Sequence, residues 1–317
     1  MILSVSRRTD VPAFYSEWFL NRIHEGYALV PNPMNARQVS RIRLDPQVVE
    51  CIVFWSKNPA PLLLRLDELR DYRYYFQFTV NAYGRDIEPG LPDLNERVVT
   101  FQALSELVGL DFVLWRYDPI LINASYAIDW HIEQFTRLAS RFAGYTRQCI
   151  ISFVDPYPKN AGKMRQADIK PLETCQMIAL AEAISPIGDA YGIKITTCCE
   201  GIDLSVQKIN HASCIDRALI EKRTGKSFAA LKKDRNQRAG CGCVESIDLG
   251  MYNTCPYGCA YCYADFSPAL TRRRIAAHDP WSPLLTGKLS EHAIIREREM
   301  RVYGSNVPGY AEMELLI

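Results

Sequence analysis

The sequence lacks long apolar runs, and none approaches the roughly 20 residues that a helix needs to cross a bilayer. It also lacks an excess of either charge, because 37 Lys and Arg residues oppose 36 Asp and Glu residues, for a net charge of +1. A strong basic field is typical of nucleic-acid-binding proteins, so nucleic acid is not indicated as a partner. The first residues place their charges after a short apolar run, the reverse of a signal peptide. These absences predict a cytoplasmic protein without a membrane partner.

The motifs of several large enzyme classes are missing as well. The chain contains no G-x-G-x-x-G fingerprint of a dinucleotide-binding fold, no phosphate-binding P-loop and no serine-nucleophile motif. Its five histidines show no spacing typical of a metal site. The missing fingerprint disfavours an open, doubly wound sheet, which stays the alternative to the fold predicted below.

Short apolar runs rich in β-branched and aromatic residues recur along the chain. They span residues 2–6, 49–55, 74–80, 112–115, 149–154, 192–197 and, more weakly, 246–251. Such near-continuous apolar runs are typical of strands buried on both faces of a parallel sheet. Helical periodicity appears between them, and it also extends over residues 288–301. The alternation predicts an α/β fold, a parallel (β/α) barrel or partial barrel of six to seven βα units.

Polar residues follow most of these predicted strands. In a parallel barrel the strands deliver the residues after their carboxyl ends to one rim, where ligands bind. We therefore expect a polar, ligand-sized mouth at this rim. For single residues the alternative is structural, with Asp10 as a helix cap and Asp118 as a turn former before proline. The candidate binding residues at the rim are Arg7, Arg8, Asp10, Thr79, Asn81, Arg116 and Asp118.

Cysteine is the abundant residue that needs an explanation, with 11 in the chain. An odd number in a long chain without secretion signals favours metal binding over a disulfide framework. Cys255, Cys259 and Cys262 stand on one loop at C-x₃-C-x₂-C spacing. Three such thiolates can hold three irons of a [4Fe-4S] cluster and leave the fourth iron open, whereas structural zinc normally has four protein ligands. We predict an iron–sulfur cluster here, with zinc as the alternative.

Five further cysteines lie near the same rim or close to it in sequence. Four of the five can hold an auxiliary iron–sulfur cluster or a zinc ion, and the alternative is a set of reduced structural thiols. The first two are adjacent at a strand end and point in opposite directions, so only one of them is expected to join the other three. The five are Cys198, Cys199, Cys214, Cys241 and Cys243. The isolated Cys51, Cys149 and Cys175 are interpreted as small buried hydrophobic residues.

The loop Cys255-x₃-Cys259-x-Tyr261-Cys262 resembles the cluster-binding signature of the radical S-adenosylmethionine (SAM) superfamily. The resemblance implies that the open iron binds the amino and carboxylate groups of SAM. It further implies that one electron cleaves SAM to methionine and a 5′-deoxyadenosyl radical. A reductant such as flavodoxin or ferredoxin and an unknown substrate are then the partners. The rim arginines suit either an anionic substrate or the carboxylate of SAM itself. Tyr261 is counted with the cofactor-binding residues.

The whole chain is similar to an uncharacterised bacterial domain-of-unknown-function family that carries a radical-SAM-like cysteine cluster at its C-terminus. The stretches 4–10 and 54–59 and the cysteine-rich end carry this resemblance. We expect residues 1–262 to form the barrel-like domain that ends in the cluster loop. Residues 263–317 are expected to form a C-terminal extension packed on the barrel.

The position of the cysteines departs from the superfamily pattern, in which the cluster loop usually follows the first strand. Here it follows the last predicted strand, and a circular permutation explains this because chain ends usually lie on the surface. Permutation predicts that the strand before Cys255 lies beside the strand ending at Ser6. The resemblance then implies that Arg7, Arg8 and Asp10 lie near the SAM amino group, Thr79 and Asn81 near the ribose, and Arg116 and Asp118 near the carboxylate or ribose hydroxyls. A non-catalytic iron–sulfur electron carrier or redox or metal sensor is the alternative function.

Overall fold

Strands and helices alternate through most of the chain in the computed structural model, which describes residues 1–238 and 240–306. The strands are β1 (Ile2–Val5), β2 (Tyr27–Asn32), β3 (Asn35–Arg43), β4 (Cys51–Ser56), β5 (Tyr74–Thr79), β6 (Val113–Ile120), β7 (Gln148–Phe153), β8 (Lys194–Cys198), β9 (Asn210–Ala212), β10 (Lys226–Ser227), β11 (Ile247–Asp248), β12 (Ile294–Glu297) and β13 (Ser305–Asn306). The α-helices are α1 (Val11–Phe14), α2 (Ser16–Glu25), α3 (Ala60–Leu63), α4 (Leu94–Val108), α5 (Ile128–Phe142), α6 (Ala161–Gln166), α7 (Thr174–Ala190), α8 (Arg217–Thr224) and α9 (Pro268–Ala276). Short 3₁₀ turns cover Leu66–Leu69 and Ser205–Gln207.

The main sheet has 8 strands in the order β11-β1-β4-β5-β6-β7-β8-β9. Every neighbouring pair in this sheet is parallel. The predicted parallel α/β fold is therefore confirmed. Strands β11 and β9 stand at the two ends of the order, so the described sheet is an arc, consistent with a partial barrel.

The first strand of the chain pairs with the strand that precedes the cysteines. Leu3 of β1 lies opposite Ile247 of β11, and Ser4 lies opposite Asp248. Parallel pairing brings the carboxyl ends of both strands to the same edge of the sheet. The neighbour relation expected from a permuted order is thus confirmed, and residues 6–10 lie beside the cysteine-rich loop.

The two faces of the sheet are covered by different material. Phe54 and Phe76 point to the outer face, where the helices pack, and Trp115 stacks on Phe135 of α5 with ring centroids 4.8 Å apart. Strand alternation turns Val53 and Tyr75 to the inner face. There the sheet packs against a segment that includes buried residues Ile215, Ile220, Phe228 and Leu231. The inside of the arc is therefore filled by residues from the chain between β9 and β11.

Two sequence predictions are wrong. The helix expected over residues 288–301 does not form; Ile294–Glu297 is a strand that pairs in parallel with β3, because the exposed edge of the β2–β3 hairpin supplies its backbone partners. Cys175 is exposed, since it lies in the first turn of α7, whereas Cys51 and Cys149 are fully buried as expected.

The chain beyond the cysteines packs on the outside of the arc. Backbone carbonyls of residues 280–282 accept hydrogen bonds from Trp18, Asn21 and Arg22 of α2. The division into residues 1–262 and 263–317 stays a prediction, and residues 307–317 lie outside the described residues. No described helix has the length and apolar character of a membrane span.

Candidate metal centre

The cysteine loop, defined as residues 255–262, leaves the sheet a few residues after β11. Tyr15 donates a hydrogen bond of 2.6 Å from its hydroxyl to the carbonyl of Thr254, at the start of the loop. The segment after β5 holds the other side, because the amide of Ala260 donates to the carbonyl of Ile87 at 2.9 Å. Backbone contacts with both neighbouring segments thus determine where the three thiols lie.

Gly90 allows the closest of these backbone contacts. Its amide donates to the carbonyl of Tyr257 at 3.1 Å. A Cβ atom at this position would lie 2.8 Å from that carbonyl oxygen and 2.9 Å from the Tyr257 Cα. Glycine is therefore required here for the loop to lie against the segment after β5.

The three thiols of the loop lie in surroundings of low polarity. Cys259 is buried, Cys255 and Cys262 are half-buried, and all three pack with Leu91 and Tyr257. Burial raises the pKa of Cys255 and Cys262, and it raises that of Cys259 to about 12. A bound cation is the partner that would favour the thiolate forms in such a place. The three thiols therefore suit a metal centre better than free thiolates.

The described part of the chain holds no preformed group of three or more His, Cys, Asp or Glu side chains arranged around an ion. Binding a metal would therefore require the cysteine side chains to move. The backbone amide of Asp265 already donates to the Cys262 sulfur at 3.3 Å. Such amide donors tune iron–sulfur and zinc–thiolate centres.

A buried group of charges lies beneath the cysteine loop. Lys57 Nζ lies 2.8 Å from Glu88 Oε1, and Arg97 Nη1 lies 3.8 Å from Glu88 Oε2. Burial favours neutral Lys57, but the charges of Glu88 and Cys259 outweigh it and raise the lysine pKa. Tyr261 donates its hydroxyl to the same glutamate. Tyr261, expected at the cofactor, thus anchors the loop to Glu88.

Sequence reasoning did not identify Glu88 and Arg97 as site residues. Glu88 comes from a loop and Arg97 from the buried side of α4, and neither stands in a motif. Lys57 directly follows β4, and this position after the carboxyl end of a strand could have identified it as a site residue.

Asp10 lies directly before α1 and joins that helix to the end of β4. Its carboxylate accepts from the Ala13 amide at 3.1 Å, the Ser56 hydroxyl at 2.7 Å and the Lys57 amide at 2.7 Å. Burial raises its pKa to about 6 in spite of these bonds. The helix-cap interpretation of Asp10 is confirmed, and the same carboxylate also joins α1 to the end of β4.

Arg116 and Asp118, expected to contact SAM, contact each other. Arg116 donates from Nε and Nη2 to Asp118 Oδ2 at 2.9 and 2.6 Å, and from Nη1 to Gln77 Oε1 at 3.2 Å. Asn81 exchanges two hydrogen bonds of 2.9 Å with the backbone of Asp118. Thr79 lies opposite Arg116 in the sheet register. The structure brings these four predicted residues together, and all three nitrogens of the Arg116 guanidinium donate to groups of the protein.

Arg7 and Arg8 follow the carboxyl end of β1, and the charge of the Arg7 side chain is felt by Cys243 and Cys214. The Arg7 guanidinium lies 5.3 Å from the centre of the Trp55 ring, and Arg8 lies the same 5.3 Å from that of Tyr252. Arg7 Nη2 and Trp55 Nε1 are both buried, and neither has a hydrogen-bond partner among the described residues. Buried polar atoms of this kind usually have a partner, and a water molecule or an acceptor-bearing ligand would satisfy both nitrogens.

A second group of cysteines lies on the inner side of the arc. We call Cys198, Cys214, Cys241 and Cys243 the cysteine quartet. The Cys198 and Cys214 sulfurs are 2.9 Å apart, and thiol hydrogen bonds link Cys214 to Cys243 and Cys243 to Cys241. The bond from Cys243 lowers the pKa of Cys241 to about 7.

Cys199 does not belong to this chain of sulfur contacts. Its backbone has a left-handed φ of 55°, and its sulfur lies near Gly240, 3.8 Å from where a Cβ of that glycine would be. Of the two adjacent cysteines, the structure therefore places Cys198 with Cys214, Cys241 and Cys243.

The fold and site define a class of protein, a parallel α/β partial barrel that carries two cysteine groups at the carboxyl edge of its sheet. The chain matches the family model described as Domain of unknown function (DUF1848) over residues 2–264, so it belongs to that family. The matched range contains the whole main sheet and all cysteines of both groups.

Comparisons with curated proteins and with solved structures assign no function to the chain. The search of curated proteins found no match. One solved structure, from Bacteroides thetaiotaomicron VPI-5482 and titled as a candidate alpha-L-fucosidase, is 12% identical, with 73% of this chain and 86% of that chain covered. Its TM-score is 0.28, which carries no argument about fold or activity.

Proposed function

We propose that the protein is a radical SAM enzyme in which Cys255, Cys259 and Cys262 hold a [4Fe-4S] cluster. The observation that carries the proposal is the position of the loop, three buried or half-buried thiols beside the end of β1 at the carboxyl edge of a parallel sheet. When bound, the cluster and SAM would supply the one-electron cleavage of SAM that starts radical chemistry on a substrate.

The chemistry of the donor set supports this assignment. Sulfur ligands select iron–sulfur clusters, zinc or copper(I), and a three-cysteine loop leaves one iron free for a non-protein ligand. The loop is held by backbone bonds to residues 87 and 90 and by Tyr261 on Glu88. These contacts would keep the thiols in position and exclude water from one side of them.

Arg7 is the residue that we assign to a ligand carboxylate. The resemblance pointed to Arg116 for this role, but Asp118, Gln77 and Cys214 already occupy its donors. Arg7 retains a buried nitrogen without a partner, and the indole nitrogen of Trp55 beside it is in the same state. A carboxylate would satisfy both donors, and a guanidinium binds carboxylates well.

A non-catalytic iron–sulfur protein, either an electron carrier or a sensor, is the second candidate. The self-contained hydrogen bonding of Arg116, Asp118 and Asp10 favours it, because a saturated rim offers fewer groups to a substrate. The unpartnered Arg7 and Trp55 nitrogens favour the enzyme.

Anaerobic reconstitution with iron and sulfide, followed by dithionite and SAM, distinguishes the two. We expect release of 5′-deoxyadenosine and a change in the electron paramagnetic resonance spectrum of the reduced cluster when SAM is added. An intact cluster with an unchanged spectrum and no 5′-deoxyadenosine would exclude the enzyme and favour the second candidate. Arg7→Met should weaken SAM binding at least tenfold, whereas Arg37→Met, on the exposed hairpin, should leave it unchanged.

A further inference from the structure

The cysteine quartet gathers sulfurs from separate parts of the chain. Cys198 ends β8, Cys214 follows β9, and Cys241 and Cys243 lie in the loop before β11. All four are free thiols, and each contacts at least one other member of the quartet. A convergence of this kind inside one buried cluster is unusual for cysteines that serve only as packing residues.

We infer that Cys198, Cys214, Cys241 and Cys243 bind one tetrahedral zinc ion. The inference is independent of the proposed SAM chemistry, since it concerns neither the cysteine loop nor any step of the reaction. Binding would release the thiol protons that remain and would involve no oxidation or reduction. The ion would hold the segment between β8 and β11 against the inner face of the sheet.

The short distance between the Cys198 and Cys214 sulfurs favours a single ion over an auxiliary cluster. Ligands at the zinc–sulfur distance of about 2.3 Å in a tetrahedron lie roughly 3.8 Å from one another. The 2.9 Å between the Cys198 and Cys214 sulfurs would need to increase by about one ångström to reach that separation. Four irons with their sulfides between the same thiols would require a much larger separation.

The groups around the quartet suit a negatively charged centre. Four thiolates and one divalent ion carry a net charge of −2, and the guanidinium of Arg116 donates to the Cys214 sulfur at 3.0 Å. The amide of Ile215 donates to the Cys243 sulfur at 3.3 Å. Donors of this kind stabilise and orient zinc–thiolate ligands.

The backbone is arranged to bring the two halves of the quartet together. Gly242 separates Cys241 from Cys243, and a Cβ at this glycine would contact the Ser213 hydroxyl, which would then have to rotate away. Tyr75 and Gln77 of β5 both donate to the carbonyl of Cys214 at 2.8 Å. The sheet therefore fixes Cys214, and the short Cys241-Gly242-Cys243 turn brings two further thiols to it.

The segment between β9 and β11, which packs against the inner face of the sheet, has little regular structure to hold it in place. Between β9 and β11 it contains the eight-residue α8 and the two-residue β10. Segments with small cores of their own commonly rely on a metal or a disulfide. A zinc ion at the quartet would tie both ends of this segment to the end of β8.

Metal analysis of the full-length protein, purified from medium that contains both zinc and iron, tests the inference. We expect about one zinc per chain, independent of iron loading. The zinc content should fall at least tenfold in Cys214→Ser and Cys243→Ser. It should be unchanged in Cys199→Ser and Cys175→Ser. Cobalt(II), substituted for the zinc, should show the intense visible absorption of tetrahedral thiolate coordination.

Three results would overturn the inference: less than about a tenth of a zinc per chain, four further irons that depend on the quartet, or equal zinc loss in Cys199→Ser. The cobalt spectrum of the unaltered protein decides the coordination even if a serine variant fails to fold. Failure of the proposed SAM chemistry is separately visible, because zinc should persist in a protein that releases no 5′-deoxyadenosine.

Discussion

The cysteine loop and the cysteine quartet differ in how the chain builds them. The loop places its thiols within residues 255–262, whereas the quartet draws on residues from 198 to 243. Each group lies beside a buried cation that is paired with a carboxylate, Lys57 with Glu88 for the loop and Arg116 with Asp118 for the quartet. A local spacing can therefore be recognised from residue order, but a group of thiols can also be assembled from distant parts of the chain, which residue order alone does not reveal.

The contacts with the cations also differ. Arg116 reaches the Cys214 sulfur directly at 3.0 Å, and Glu88 holds Lys57 by an ion pair of 2.8 Å. The quartet thus has a direct positive neighbour, while the loop is held chiefly by its backbone bonds and by Tyr261 on Glu88. If the two groups are independent, changes near one should leave the metal of the other in place.

The largest effect is expected from Cys259→Ala. It removes one of the three ligands of the proposed cluster, so iron bound at the loop should fall at least tenfold and 5′-deoxyadenosine should no longer form. Zinc at the quartet should be unchanged. Iron, zinc and nucleoside analysis of the same preparation measures all three, with Cys175→Ala on exposed α7 as the control. Retention of the iron would contradict the assignment of the loop.

Glu88→Gln should be the most destabilising change near the loop. It leaves Lys57 and Arg97 without their anion in a buried place, and removal of one partner of a buried ion pair costs about 3–5 kcal/mol. Urea unfolding measures the loss. Glu182→Gln, on the exposed side of α7, should change the unfolding free energy by less than about 0.5 kcal/mol. Equal stability of the two variants would show that the charge group does not support the loop.

Gly90→Ala tests the backbone contact that positions the loop. The added methyl would meet the Tyr257 backbone at 2.8 Å, so the two segments must move apart at a cost of about 1–3 kcal/mol. Iron loading at the loop should fall, and zinc at the quartet should not. Gly162→Ala is the matched control, because nothing lies within 4 Å of a Cβ at that position. Normal iron loading in Gly90→Ala would argue against a fixed loop.

The smallest effects come from a matched pair of tyrosines, one for each cysteine group. Tyr15→Phe removes the bond to the Thr254 carbonyl, and Tyr75→Phe removes the bond to the Cys214 carbonyl. Each should lower the unfolding free energy by about 1 kcal/mol, because Tyr15 donates a buried hydrogen bond to the Thr254 carbonyl and Tyr75 is one of the two donors to the Cys214 carbonyl. Tyr15→Phe should lower only the iron bound at the cysteine loop, and Tyr75→Phe should lower only the zinc bound at the quartet. Metal loss at both groups in either variant would show that they are coupled.

Much of the fold was predictable because its signals are local. Apolar runs located seven strands of the main sheet, and the pairing of β1 with β11 followed from the displaced cysteines. The short β9 and the β2–β3 hairpin were not predicted, since neither shows a clear alternating pattern. The strand at Ile294–Glu297 was mistaken for a helix because its partner is a distant edge strand.

The candidate site was predictable only in part, because only some of its residues are marked by a local pattern in the sequence. Asp10 could be recognised as a cap from its place before α1, and the structure confirms it. Glu88 and Arg97 could not be recognised, because a buried ion pair between a loop and a helix leaves no pattern in residue order.

The sequence alone determined the parallel α/β fold and the three-cysteine loop, because hydrophobic periodicity and ligand spacing are properties of consecutive residues. The tertiary structure decided that Cys198, and not Cys199, joins the quartet, since strand direction and a left-handed backbone at Cys199 separate the two thiols. It also decided that Asp118, Gln77 and Cys214 accept hydrogen bonds from Arg116, while Arg7 keeps an unpartnered nitrogen. Which polar groups remain free depends on neighbours brought together by folding.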